Sequence, residues 1–301
     1  MQKTTRRWAS LLPAALVAFG IAVLAVGAIL LSMGPSGHQT STTDRPYVGG
    51  HLHSMAVDPT NPEKVMVGGH DGAAMSTDGG KTWRQITDLE GADPMGWVVN
   101  PDEPAKMYAS GHPGFYRSED GGKTWSQDNS GLPGTDVHAL GMEPQNPKHL
   151  YAYIVGHGVY RSPNAGVSWE PVNSEIGTMG PILVDPRDPH TLYLAPKDMF
   201  LKSGDAGKSW EQVGTIPGDV ATWVAQDRKD ADTFYAASDG VYKSADGGES
   251  WQQVGDGLPE RVSVVEVAQG NPRVVYAGAL EGDTATVYRS DDGGKSWEAR
   301  N

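Results

Sequence analysis

From about residue 50 onward the chain is a succession of short apolar runs fenced by Gly, Pro and Asp. Leu150-Tyr151-Ala152-Tyr153, Phe234-Tyr235-Ala236-Ala237, Val159-Tyr160-Arg161-Ser162 and Val241-Tyr242-Lys243-Ser244 are rich in β-branched and aromatic residues, which predicts strands. Other apolar runs stop at Val57-Asp58-Pro59, Val99-Asn100-Pro101 and Val184-Asp185-Pro186, where proline and a short polar side chain end a strand and begin a turn. A further strand opens on a tryptophan, as in Trp210-Glu211-Gln212-Val213. These four kinds of run recur in the same order, so each unit of the chain is predicted to be a four-stranded sheet.

Between the third and fourth strands of each unit lies an eight-residue phrase, S-x-D/N-x-G-x-x-W. It begins at Ser76, Ser118, Ser162, Ser203, Ser244 and Ser290 and ends at Trp83, Trp125, Trp169, Trp210, Trp251 and Trp297. The tryptophans are 42, 44, 41, 41 and 46 residues apart, a period suited to one propeller blade per repeat. Six phrases predict six blades closed radially.

The phrase resembles the Asp-box, or bacterial neuraminidase repeat, and the chain is similar to that β-propeller family over residues 50 to 301. Five copies keep the aspartate, while the third has Asn164, followed by Ala165 where four others have glycine. The resemblance implies that the box forms the hairpin turn between a blade's outer strands, its acid tying the turn and its tryptophan packed between strands. An Asp-x-Gly turn offers a side-chain acceptor and a residue free to take positive φ, so the bottom-up reading agrees. The box is therefore scaffold and says little about chemistry.

Residues 48–301 are assigned to the all-β propeller, 34–47 to a flexible linker rich in Gly, Ser, Thr and Pro, and 1–10 to a cytoplasmic N-terminus. Residues 11–33, from Leu11 to Met33, carry no charge and follow Lys3, Arg6 and Arg7. That length suffices for the ~20 residues a helix needs to cross a membrane, and the basic flank places the propeller on the extracytoplasmic side. The expectation is a single-pass anchor in the cell membrane. A cleaved signal peptide with its site at Ala25-Val26-Gly27 is the rival, disfavoured because the apolar run continues to Leu31.

The chain has no cysteine, which excludes thiolate metal sites, cysteine nucleophiles and disulfides. Residues 46–301 hold 36 of the 37 acidic and 20 of the 24 basic residues, an acidic surface that excludes nucleic acid as a partner.

Aligning the repeats on Asp58, Asn100, Glu143, Asp185, Asp227 and Ala268 exposes where they differ. Five residues earlier stand His53, Met95, His138, Gly180, Thr222 and Ser263; seven earlier stand His51, Asp93, Asp136, Thr178, Val220 and Arg261. The loop after the second strand carries His70, His112 and His157 in the first three repeats, and Lys197-Asp198, Ser238-Asp239 and Leu280-Glu281 in the others. In a propeller these rows open on one face, opposite the boxes. Six of the nine histidines, with Met95, Asp93 and Asp136, are thus expected there within blades one to three. Imidazole, carboxylate and thioether suit copper or zinc, with methionine favouring copper. A polar pocket for a protein or glycan without metal, or histidines that only satisfy backbone groups, stay open beside that reading. His149 and His190 are assigned to the opposite face and His38 to the linker.

Three functions follow. The first is an anchored binding propeller holding a metal on its histidine face, with no enzyme activity required. The second is a glycosyl hydrolase of the sialidase-like kind that the resemblance implies. The three-arginine sialidase pattern is missing, since no Arg-Ile-Pro occurs and Arg45 is the only arginine between residues 33 and 76. A different glycosidase would need two carboxyl groups across the bond, for which Asp93 and Asp136 are the candidates. The third is a non-enzymatic assembly or sorting scaffold, as the box also occurs in such receptors and assembly factors.

Overall fold

A computed structural model describes residues 42–300 of the chain. Six antiparallel sheets of four strands each follow one another along the sequence, and in every sheet the strands are neighbours in chain order. The expected six blades are all present. Blade one starts with Leu52–Val57, a few residues later than the sequence suggested, and blade six ends with Glu298–Arg300. The inner strand of blade six, Val264–Val267, lies against Leu52–Val57 and closes the ring.

The boxes form as expected. In blade one Ser76 Oγ donates to Asp78 Oδ1 at 2.8 Å, and the amides of Gly80 and Thr82 donate to Ser76 Oγ and Asp78 Oδ1, each at 2.9 Å. Hydrogen bonds to the ionised acid favour its charged form, and they hold the Asp120, Asp205 and Asp246 carboxyls down at about 2. The ring N–H of each box tryptophan donates to the carbonyl of the glycine three residues before it at 2.9 to 3.1 Å, except that Trp169 Nε1 in the Asn164 box is buried without a partner. Both residues after the acid take positive φ, including Ala165 at 59° and Ala206 at 60°.

The core lies between blades. Met66, Met75 and Ile86 in blade one pack with Trp97, Met107 and Trp125 in blade two, and comparable clusters join the other neighbouring blades. The second-strand ring of most blades is also covered by a cation from the third strand: Arg161, Lys202, Lys243 and Arg289 sit over Tyr151, Tyr193, Tyr235 and Tyr276. These basic residues are scaffold, holding a ring of the adjacent strand. The turn acids act locally too; Asp58 Oδ1 accepts from the Thr60 and Asn61 amides.

The segment just before blade one is docked rather than free. Thr43 pairs with Trp83, Tyr47 pairs with Thr284, and the Ala285 amide donates to the Pro46 carbonyl at 3.1 Å. Residues near Tyr47 thus extend the outer edge of the last blade, and the linker assignment does not hold for residues 43–47. Arg45 forms an ion pair with Glu281 at 2.6 Å. Among the described residues no helix is long and apolar enough to cross a membrane. The predicted anchor at 11–33, the first part of the linker and His38 lie outside the described residues.

Candidate metal centre

The inner strands of blades one, two and three share a local irregularity. Leu52 and Ser54 pair with adjacent residues of the next strand, leaving His53 as the extra residue of a β-bulge; Met95 between Pro94 and Gly96, and His138 between Val137 and Ala139, occupy the same position. The paired inner strands of blades four, five and six run in regular register. A bulge re-aims one side chain without changing the rest of the strand. Here the re-aimed residues are those of the row five before the turn.

The connecting loops supply the rest. His70 and His112 each open a two-residue hairpin, closed by the pairs Gly69 with Gly72 and Gly111 with Gly114. Asp93 begins the inner strand of blade two, and Asp136 immediately precedes that of blade three.

Two trios of ligand-bearing side chains result. In the first, His53 Nε2 and His70 Nδ1 share a proton across 2.9 Å, and lie 3.4 and 3.3 Å from the two oxygens of Asp93. Asp93 is 9% exposed, and its Oδ1 has no aligned hydrogen-bond donor although His53 is near. His51 stacks on His70 at 4.6 Å between ring centres and on His53 at 5.5 Å. In the second trio, Asp136 Oδ1 lies 2.5 Å from His112 Nε2 and 2.8 Å from His138 Nε2. His112 Nδ1 is 3.6 Å from Asp93 Oδ2, so this ring stands between the two acids.

Burial pushes the imidazoles of His53 and His138 below the ordinary histidine value, more strongly than Asp93 and Asp136 respectively push them up. Both rings are thereby held toward the neutral form that can donate a lone pair.

Of the predicted residues, His51, His53, His70, Asp93, His112, Asp136 and His138 come together. His157 does not join either trio. Blade three's hairpin runs from Ile154 to Gly158 and has three loop residues instead of two. Val155 takes the place that His70 and His112 have in their blades, and the His157 ring lies over Gly134 instead. Met95 is buried at its bulge, and among the described residues its sulfur makes no hydrogen bond to a histidine. The thioether that does is Met179, 3.2 Å from His138 Nδ1 and 54% exposed. Met179 falls between the two aligned rows of blade four; its only signal was a large apolar residue inside Thr178-Met179-Gly180. His149, at 2.7 Å from Glu143, and His190, beside Asp188, are on the other face as expected.

A model of the BNR/Asp-box repeat matches residues 74–85, 116–127 and 288–299, the boxes of blades one, two and six. The chain is a six-bladed Asp-box β-propeller. No curated protein sequence matches it. Among solved structures, the propeller is similar to the GH74 enzyme of Niastella koreensis, with 17% identity and a TM-score of 0.62 over 87% of this chain and 47% of that one. It thus spans about half of that enzyme's length. A protein of unknown function from Bacteroides thetaiotaomicron gives a TM-score of 0.61 at 11% identity, covering 86% of this chain and 71% of that one. YCF48 bound to D1 peptide gives 0.52 at 17% identity, covering 86% and 84%. At these identities the likeness establishes the propeller fold.

Proposed function

We propose that this protein is an extracytoplasmic binding propeller, anchored through residues 11–33, whose histidine face binds copper or zinc. The observation that carries the reading is what the histidine side chains touch. Among the described residues, the rings of His53, His70, His112 and His138 contact one another, two carboxylates and one thioether, and hydrogen-bond to no backbone group. Thr222, in the same row of blade five, instead caps the backbone: its hydroxyl donates to the Ser263 carbonyl at 2.7 Å.

The first ion is held by His53 Nε2, His70 Nδ1 and Asp93. Two ligands 2.0 to 2.1 Å from an ion at the tetrahedral angle stand about 3.3 to 3.4 Å apart, close to the separations of 2.9, 3.4 and 3.3 Å in this trio. The unaligned Asp93 Oδ1 fits as well, since a chelating oxygen and nitrogen both aim at a common point and not at each other. Three protein ligands on a solvent-facing rim leave a fourth position open, the arrangement of sites that exchange a ligand.

A glycosidase with Asp93 and Asp136 as its carboxyl pair is the second reading, supported by the likeness of fold to GH74 enzymes. The histidines that engage both carboxylates favour the metal. A peptide ligand on this face, of the kind that the YCF48 structure contains, fits the same open rim.

The test is titration of the protein, without a histidine tag, with Cu²⁺ and with Zn²⁺. Stoichiometric binding that His70→Ala removes from the first site supports the reading. Absence of binding by either ion at micromolar concentrations refutes it. Ligation needs neutral imidazole, so affinity weakens as pH falls below about 6.5, and the depressed values of His53 and His138 carry binding somewhat further into acid.

A further inference from the structure

We propose that the face takes two ions, and that Asp93 serves both: it ligates the first and orients a ligand of the second. This rests on the metal reading of the His53–His70–Asp93 trio.

The second site is His112 Nε2, Asp136 Oδ1 and His138 Nε2. His138 Nε2 lies 2.8 Å from Asp136 Oδ1, yet it is buried with no aligned hydrogen-bond partner. An imidazole nitrogen this close to a carboxylate without hydrogen-bond alignment suits two donors facing a shared third atom. Its other nitrogen meets the weak acceptor Met179 Sδ at 3.2 Å, which leaves Nε2 as the free donor. The bulge at His138 and the hairpin carrying His112 bring these rings to 5.4 Å between centres. The donor set is two imidazoles and a carboxylate, as in the first trio.

The link is His112. Its Nε2 faces Asp136 at 2.5 Å, and its Nδ1 faces Asp93 Oδ2 at 3.6 Å. Metal-ligating histidines hand their remaining N–H to a carboxylate or carbonyl, which fixes the tautomer and aims the ring. Asp93 is the buried carboxylate on that side of the ring, 3.6 Å from Nδ1. Among the described residues the Asp136 carboxylate, by contrast, pairs only with members of the second trio. The two acids therefore have different reach: Asp93 acts on both ions, Asp136 on one. Half of the His70 and His112 side chains is exposed, so each ion keeps a side open to water or to an oxyanion.

The experiment is Zn²⁺ and Cu²⁺ binding to the full, tag-free chain, followed by calorimetry and native mass spectrometry. Two ions per chain are expected, with one remaining in His70→Ala and one in His138→Ala. Asp136→Asn should lose the second ion and hold the first within about twofold. Asp93→Asn should lose the first and weaken the second by about 10- to 100-fold, the usual effect of removing an orienting partner. His70→Ala changes an exposed loop side chain and leaves Asp93 in place; its remaining ion should bind with near wild-type affinity, which separates the loss of orientation from the loss of the first ion. Binding of a single ion that His70→Ala abolishes would overturn the second site and keep the metal reading. Two ions with the second unaffected by Asp93→Asn would overturn the link, and no ion at all would overturn both.

Discussion

Replacing Trp125 with alanine tests the claim that the box tryptophans hold neighbouring blades together. The ring is 8% exposed, donates from Nε1 to the Gly122 carbonyl at 3.1 Å, and meets Trp97 edge-on at 5.4 Å between centres and 73° between planes. Met75 and Met107 share its cluster. Truncating a buried aromatic costs about 3 to 5 kcal/mol. About 0.5 to 1.5 kcal/mol of this belongs to the aromatic pair, and about 1 kcal/mol to the hydrogen bond. A domain of this size loses about 2 to 4 °C of melting temperature per kcal/mol, so Trp125→Ala should melt roughly 6 to 20 °C lower. Trp125→Phe keeps most of the packing and gives up the donor, and should lose roughly a third of that. Thermal unfolding followed by circular dichroism measures both. A fall of under about 2 °C for the alanine variant, or equal losses for the two, would refute the packing argument.

Other outcomes follow from single positions. Gly247 sits at φ 77° with nothing within 4 Å of where a Cβ would stand, so Gly247→Ala should cost only the left-handed backbone term of about 1 to 2 kcal/mol; a loss beyond about 3 kcal/mol in urea titration would mean that the turn is tighter than described. Glu266 faces the central cavity of about 90 Å³ beside Trp223 and Arg228, and burial pushes its carboxyl up to about 7. The folded state then holds a proton that the unfolded state releases near 4.5, so this group's contribution is present in acid and lost as pH rises through about 7. Glu266→Gln should match wild type near pH 5 and exceed it above pH 7 in melting temperature; a variant that gains at pH 5 as well would contradict this. The anchor reading expects the full chain in the membrane fraction with its C-terminus outside, and recovery of a mature protein starting near Ala28 would show cleavage instead.

The tryptophan spacing made the blade number legible because one box must close one blade, and scaffold demands repeat with the fold. The histidine face was legible for the complementary reason: His53, His70, His112 and His138 break the repeat in three blades. The bulges at His53, Met95 and His138 were not legible, since a bulge changes hydrogen-bond register and leaves the hydrophobic pattern intact. Met95 holds the same bulge position as His53 and His138 but is buried, and stands outside the cluster. His157 stands apart because its hairpin has one extra residue, a length difference that grouping the histidines by loop concealed. The docking of Thr43 and Tyr47 depends on which sheet edge is left open, and the last outer strand is three residues long.

The division between scaffold and site makes one more prediction. If the fold needs the His138 ring, replacing it should destabilise the metal-free protein; if it is kept for a ligand, the repeat itself supplies a substitute. Blade five has Thr222 in the equivalent place, a β-branched residue suited to a strand. His138→Thr should leave the metal-free protein within about 1 kcal/mol of wild type at pH 7.5, since its ring has no backbone bond to lose and its Nε2 already lacks an aligned partner. The pH dependence has a definite sign. Burial lowers the histidine's affinity for protons in the folded state, so the unfolded chain binds more protons as pH falls below about 6.5, and wild type loses stability there. The threonine variant has no such proton to bind at this position. It should therefore gain on wild type as the pH is lowered from 7 to 5, measured as the difference in urea midpoint without added metal. With saturating Zn²⁺ at pH 7.5 the order should reverse, because an ion bound only by the folded state stabilises it in proportion to RT ln(1 + [L]/Kd). A variant that is less stable than wild type by more than about 2 kcal/mol in the absence of metal would return His138 to the scaffold.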